Sequence, residues 1–192
     1  MNIEKLYEIL LSKKPSDEIK RCEEEIFNFI PELRVCKGFD QKNPWHIYDV
    51  YEHTLHVVDG VKPNLLVRLA ALFHDIGKPI SFNQDDQGIG HFHGHWEESQ
   101  KIFEEFAKKN NIDDETIYIV SNLIFYHDLN LLKLSDDDIG VVKNIFKEDG
   151  LELLFNLKES DLYAHSKKYH SYIEVINKMK ERLNYTRWTK DW

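Results

Sequence analysis

Cysteine is scarce: two residues, Cys22 and Cys36, in a chain of 192. They stand fourteen apart with no CxxC pair, which excludes a disulfide framework and a zinc finger and suits a reducing compartment. Long apolar runs are missing too. None approaches the ~20 residues that span a bilayer, so neither a transmembrane helix nor a membrane partner is expected. The opening Met1-Asn2-Ile3-Glu4-Lys5 has no basic stretch leading into an apolar one. No secretory signal is therefore expected, and the expected location is the cytoplasm. Positive charge is in deficit, at 25 Lys/Arg against 34 Asp/Glu, a net −9. That argues against a protein built mainly to hold long nucleic acids.

What is present fits one globular domain. Apolar residues make up 42% and charged residues 31%, and a chain of this length buries roughly 70% of the surface its unfolded form exposes. The charge is uneven. From His165 to Trp192 there are seven Lys/Arg against three acids, or +4, which leaves −13 on the remaining residues. This basic tail reads either as a solvated helix face or as a contact for an anionic substrate or partner. No internal repeat or low-complexity segment is visible.

Glycine (8) and proline (5) are few enough for long structured elements. Apolar residues recur mostly at three and four, the helical period. This predicts helices over 3–12, 16–30, 48–60, 64–75, 95–109, 113–127, 135–148, 150–164 and 169–184, an all-α single-domain bundle. Pro15-Ser16 opens the second helix, and Lys62-Pro63-Asn64 divides the third from the fourth. Asp113 and Ser135 read as N-caps, with Asp138 completing a capping box. The one long irregular stretch is 76–94, rich in Gly, Asp and His, and a loop of that length in a compact domain is often functional. Residues 65–73 are apolar almost all round, Arg68 excepted. Such a helix is buried, and it runs straight into His74-Asp75.

The ten histidines include several at core positions of these helices. His53 shares a face with Val50 and Val57. His95 shares one with Ser99, Ile102 and Phe106, and His127 with Ile117, Val120 and Ile124. Asp161 shares one with Leu154 and Leu157. Six polar, metal-competent groups thus fall where the period demands core: His53, His74, Asp75, His95, His127 and Asp161. Burying imidazoles and carboxylates without partners is costly. A divalent cation satisfies both kinds of group at once, so a shared metal centre is expected.

The strings around these residues carry a resemblance. "DVYEHTLHVVD" (49–59), "RLAALFHDIGKP" (68–79), "GHFHGHWEES" (90–99) and "KESDLYAH" (158–165) resemble the HD superfamily of metal-dependent phosphohydrolases. Within it they are most similar to the HD domain attached to many bacterial tRNA nucleotidyltransferases. The resemblance covers roughly residues 30–165. The upstream forty residues are too short for a nucleotidyltransferase head, and no paired-aspartate strand motif is present, so a free-standing HD domain is expected. Residues 1–30 then form a helical extension packed on a domain of 31–192 that ends in the basic helix.

The resemblance implies a compact helical bundle in which His53, His74, Asp75 and Asp161 are metal ligands. It further implies, for the branch with two more histidines, that His95 and His127 bind a second ion bridged by Asp75. One ion or two stays open, as does the identity of the metal among Mn, Fe, Co, Ni, Mg and Zn. The implied activity is hydrolysis of a small phosphate ester, a nucleotide or cyclic nucleotide foremost, by metal-activated water. Asp75, His95 and His127 would serve catalysis through the ions. Lys78, at a Gly-Lys-Pro turn, would hold the substrate phosphate. Arg68 needs an anionic partner, in a structural ion pair or at a substrate phosphate. His91 or His93 would contact substrate and protonate a leaving group, or be an ordinary exposed loop histidine. His56 would support the metal ligands or sit satisfied in the core.

Gly88, Gly90 and Gly94 form GxGxxxG with no preceding strand, which is not a phosphate loop. The scattered aromatics read as core rather than as base-stacking platforms. Two other readings stand beside the hydrolase. One is a diiron oxygenase of the same fold. The other is a module that binds a nucleotide without turnover or docks on RNA through the basic tail. Oligomeric state has no signal.

Overall fold

A computed structural model describes residues 1–185. Arg187, Lys190 and Asp191 of the basic tail lie outside the described residues. The helices are α1 (Ile3–Leu10), α2 (Pro15–Arg21), α3 (Glu23–Phe29), α4 (Pro31–Cys36), α5 (Val50–Gly60), α6 (Leu65–Phe73), α7 (Lys78–Ser81), α8 (His95–Lys109), α9 (Asp114–Tyr126), α10 (Asp136–Ala164) and α11 (Ile173–Arg182). Turns of 3-10 helix cover Leu131–Lys133 and Lys167–Tyr172. The fold is all-α, as the period predicts, and one hydrophobic core draws on side chains from Leu6 to Tyr185.

α6 is the centre. Asn64 caps it by accepting from the backbone N–H of Leu66 (3.0 Å) and Val67. Every residue from Val67 to Phe73 is buried, against α5, α8, α9 and α10. The surrounding helices begin at side-chain caps. Asp49 accepts from Glu52 N at 2.7 Å to start α5. Asp113 accepts from Thr116 N at 2.9 Å to start α9. Ser135 and Asp138 form the predicted capping box of α10. These caps fix where α5, α9 and α10 start, and so which of their residues face α6.

Several boundaries differ from the periodic reading. The predicted helix 16–30 is two, broken at Cys22 (φ −116°, ψ 34°). It stops at Ile30 because a residue before proline is pushed out of the α region. Pro31 then opens α4, suited to the first turn by its fixed φ and missing N–H. The segments 135–148 and 150–164 join in α10, kinked at Lys147 (φ 47°, ψ −163°). The predicted helix 169–184 is a 3-10 turn followed by α11.

The stretch 76–94 is partly regular. It holds α7 and a short hairpin, β1 (Asn83–Gln84) and β2 (Gly90–His91), paired antiparallel with Asn83 opposite His91. Gly90 N donates to Lys42 O at 2.8 Å. A Cβ there would lie 2.2 Å from Gln41 O, so glycine is needed for close packing of hairpin on loop. The basic stretch is also partly structural. Lys180 is buried against Glu159 at 2.5 Å, and Arg182 donates to the carbonyls of Leu131 (2.9 Å) and Leu134 (2.7 Å). Lys167, Lys168 and Lys178 are exposed. No described helix is long and apolar enough to cross a membrane.

Candidate metal centre

Five helices deliver the six predicted groups to one place. His53 comes from the middle of α5, His74-Asp75 from the end of α6, His95 from the start of α8, His127 from the end of α9 and Asp161 from the last turns of α10. They form two overlapping sets, each with its ligating atoms within 4.8 Å of one another: His53, His74, Asp75 and Asp161, and then Asp75, His95 and His127. Asp75 belongs to both through different oxygens. Its Oδ2 lies 3.4 Å from His53 Nε2 and 3.3 Å from His74 Nε2. Its Oδ1 lies 3.2 Å from His95 Nε2 and 3.6 Å from His127 Nε2. Asp161 Oδ1 closes the first set at 2.8 Å from His53 Nε2.

Three of the rings are aimed by the same device. The Nδ1–H of His74 donates to Ala71 O at 2.8 Å, that of His95 to Phe92 O at 2.9 Å and that of His127 to Ile124 O at 2.6 Å. Each bond reaches back three residues along the chain. Holding the hydrogen on Nδ1 leaves Nε2 with its lone pair pointing inward.

This arrangement fits divalent cations. His74 Nε2 is buried with no hydrogen-bond partner among the described residues. His95 Nε2 and His127 Nε2 face each other at 3.3 Å, two lone pairs with no hydrogen between them in that tautomer. Nitrogen and carboxylate donors together suit first-row divalent metals. The titration behaviour reflects the crowding. Burial pushes Asp75 and Asp161 up, but the facing histidines, with Lys78 at Asp75, outweigh it and hold both carboxyls well below the usual range. Burial takes His53 the other way, down to about 4, despite the Asp161 and Asp75 carboxylates beside it.

The cluster floors an open cleft of about 220 Å³. Lys78 lines it, buried, with Nζ 2.7 Å from Asp75 Oδ2 and 2.9 Å from Gln41 Oε1, and with the Phe92 ring 5.3 Å away. His91 and His93 form part of the wall, ring on ring at 5.9 Å, and His91 Nε2 also pairs with Asp85 at 2.8 Å.

Two expectations need correction. Arg68 does not reach the cleft and has no carboxylate partner there. It is buried at the far end of α6, where Nη1 donates to Leu10 O and, at 2.8 Å, to Ser12 O. Carbonyls at the end of α1 accept from Nη1 in place of an anion, while the buried Nε has no hydrogen-bond partner among the described residues. His56 points outward and stacks on Tyr48 at 4.3 Å, so it neither supports the ligands nor fills the core.

The periodic reading also missed several cleft residues. His165 lies one turn after Asp161; its Nδ1–H donates to Asp161 O at 2.7 Å and its ring is 4.9 Å from His53. The i, i+4 spacing from Asp161 was the available signal. His46 packs its ring 4.4 Å from His165, and Trp45, Trp96 and Tyr169 line the cleft, contrary to the reading of the aromatics as core alone. Trp45 and His46 lie in a loop, where no period marks which side chains face inward.

The HD domain family model matches residues 46–188. The chain belongs to the HD domain family. It is 44% identical over 72 residues to the A-adding tRNA nucleotidyltransferase of Deinococcus radiodurans, a match covering 34% of this chain and 16% of that protein. To the multifunctional CCA protein of a Janthinobacterium species it is 37% identical over 90 residues, 45% of this chain and 21% of the other. To the bifunctional uridylyltransferase/uridylyl-removing enzyme of Corynebacterium glutamicum it is 43% identical over 58 residues, 26% and 8%. The chain thus matches about a fifth or less of the length of these relatives. Membership of a family of metal-dependent phosphohydrolases agrees with the buried His/Asp cluster, which could hold a metal ion.

Proposed function

We propose that this HD domain is a metal-dependent phosphohydrolase that cleaves a small phosphate ester, a nucleotide or cyclic nucleotide foremost, by attack of water on phosphorus. The observation that carries the reading is Asp75, whose two carboxylate oxygens face two separate sets of donors on the floor of an open cleft. His53, His74, Asp75 and Asp161 would hold one divalent ion, and Asp75, His95 and His127 a second. Such ions, when bound, polarise a phosphoryl oxygen and strengthen a water as a nucleophile at neutral pH.

The chain's own groups supply the rest. The backbone carbonyls of Ala71, Phe92 and Ile124 hold three imidazoles in the tautomer that presents Nε2 inward, so no ring has to reorient during turnover. Lys78, fixed by Asp75 and Gln41, sets a positive charge at the edge of the floor, where oxygens of a substrate phosphoryl group would gain negative charge. His93, exposed on the wall, is the group free to hand a proton to a leaving alkoxide, whereas His91 is tied to Asp85. One relative is named for removing uridylyl groups, which are attached through phosphorus, and this supports cleavage at phosphorus.

The test joins elemental analysis of the purified protein to phosphate release from a panel of nucleotides and sugar phosphates. Bound divalent metal and phosphate release are expected, and His53→Ala should lose both. A His53→Ala protein with full metal content and activity overturns the assignment. Oxygen consumption without phosphate release would replace it with an oxygenase of the same fold.

A further inference from the structure

The cleft has a floor of ligands and a rim of aromatic rings, and the rim has no part in the chemistry described so far. Trp45 stands at that rim, 46% exposed. Trp45 is thus half open to water and lines the cleft, so its indole is accessible to a bound ligand. Its backbone is pinned on both sides: Trp45 N–H donates to Asn43 Oδ1 at 3.0 Å, and Ser166 N–H donates to Trp45 O at 2.9 Å. Asn43 Nδ2 in turn donates to Gly90 O at 3.2 Å, tying the loop to the hairpin. The ring is backed by Tyr169, with centroids 5.7 Å apart, and Tyr169 lies parallel to Tyr172 at 5.3 Å and 8°.

We propose that Trp45, braced by Tyr169, is a stacking platform that selects phosphate esters whose alcohol carries a planar aromatic ring, nucleoside monophosphates being the natural size. The proposal rests on the reading of the Asp75 floor as the phosphoryl end of the site. A phosphate at the floor leaves the alcohol portion directed to the rim, where Trp45 and Tyr169 lie ring to ring and Trp96 also lines the cleft. The platform is already ordered, so a ring that stacks on it does not have to bear the ordering of an indole. The cleft is small, and the exposed carboxylate of Asp128 lies on its lining. Both features favour a single nucleotide over a longer polyanion. Base–aromatic stacking gives roughly tenfold or more in affinity and tolerates different bases, because each has a π-face. Such a contact is made alike in the bound substrate and the transition state, so it belongs in KM rather than kcat.

The test uses the full chain loaded with Mn²⁺ and compares adenosine 5′-monophosphate with ribose 5-phosphate, which has the same sugar phosphate without the ring. The expected preference for the nucleotide in kcat/KM is about tenfold or more. Trp45→Leu should raise KM for the nucleotide about tenfold more than KM for ribose 5-phosphate, with little change in kcat, and Trp45→Phe should recover part of the loss. Quenching of tryptophan fluorescence by the nucleotide, read without turnover, should disappear in Trp45→Leu. If both esters are hydrolysed equally well and Trp45→Leu shifts them together, the platform is wrong and the hydrolase reading survives. If neither ester is cleaved but the nucleotide still quenches fluorescence through Trp45, hydrolysis of nucleoside monophosphates falls and the platform stands. Absence of both signals overturns the platform, and the hydrolase reading is then decided by the wider panel of esters.

Discussion

The two ends of α6 put buried charge to opposite uses. At its start, Arg68 donates from Nη1 to Leu10 O and Ser12 O, carbonyls at the end of α1 that lack helical partners, with only its Nε left buried and unmatched. At its finish, His74 and Asp75 spend little on the backbone and turn their remaining atoms toward His53, His95, His127 and Asp161. Both ends are almost wholly buried. Burial alone therefore does not mark a functional group; the fate of its hydrogen-bonding capacity does. A charge absorbed by helix-end carbonyls ties two elements together. Groups of one kind that converge with lone pairs unmatched leave work for a ligand. Lys158 and Lys78 repeat the contrast. Lys158 Nζ donates to His127 O (2.6 Å) and Leu129 O (2.9 Å) at the end of α9, whereas Lys78 lines the cleft.

The sharpest way to break this distinction is a crossed pair of substitutions. Asp75→Asn should lower affinity for Mn²⁺ by more than about 100-fold, because removing a ligand costs more than the 10- to 100-fold typical of disturbing its supports. Arg68→Met should leave Mn²⁺ affinity unchanged and lower stability by about 2 kcal/mol, the order expected when charged hydrogen bonds to buried carbonyls are lost. Calorimetric titration and urea unfolding of both proteins measure the two effects. A metal defect in Arg68→Met would show that the ends of α6 are not separate.

The floor of the site was legible in the sequence because it is built on helices. The 3.6-residue period alone sets His53, His127 and Asp161 among apolar neighbours, and the structure brings these groups together with His74-Asp75. The fold class was legible for the same reason. The rim was not. Trp45 and His46 follow Pro44 in a loop whose path depends on bonds to Ser166 and Gly90, more than forty residues away in sequence. Arg68 was legible as buried and in need of partners, but an arginine has no way to announce that those partners are carbonyls from another helix. His56 follows the spacing of a ligand-side residue, yet α5 presents only one stripe to the core and His56 lies off it.

A smaller effect tests whether a charge spent on carbonyls can still matter to the site at second hand. Burial pushes the Lys158 ammonium down to about 8, and it holds the carbonyl of His127 itself. Lys158→Met keeps the side chain's bulk and removes the donor. The expected loss is about 1–2 kcal/mol of stability, since two carbonyls lose a charged partner. Mn²⁺ affinity should fall about tenfold as the end of α9, and with it the His127 ring, loosens. Unaltered metal binding with reduced stability would confine Lys158 to the same role as Arg68.

The weakest case lies nearer the surface, where the same logic predicts a modest and pH-dependent contribution. Asp59 accepts from Ser16 N–H at 3.0 Å and Ser16 Oγ–H at 2.5 Å, and pairs with the more exposed Lys14 at 2.6 Å. Burial pushes its carboxyl up, but the bonds from Lys14 and Ser16 outweigh this and hold it below its ordinary value. A depressed carboxyl stabilises the fold above its unfolded pKa of about 3.9, and that contribution is lost as pH falls through the lower folded value. Asp59→Asn should therefore cost about 1 kcal/mol at pH 7, the scale of a partly screened pair with neutral hydrogen bonds. The gap between the two proteins should narrow as the pH is lowered through the carboxylate range in urea unfolding series. A gap that stayed constant down to acid would mean that the geometry of the Ser16 bonds, which an amide oxygen reproduces only in part, holds α2 to α5 without help from the charge.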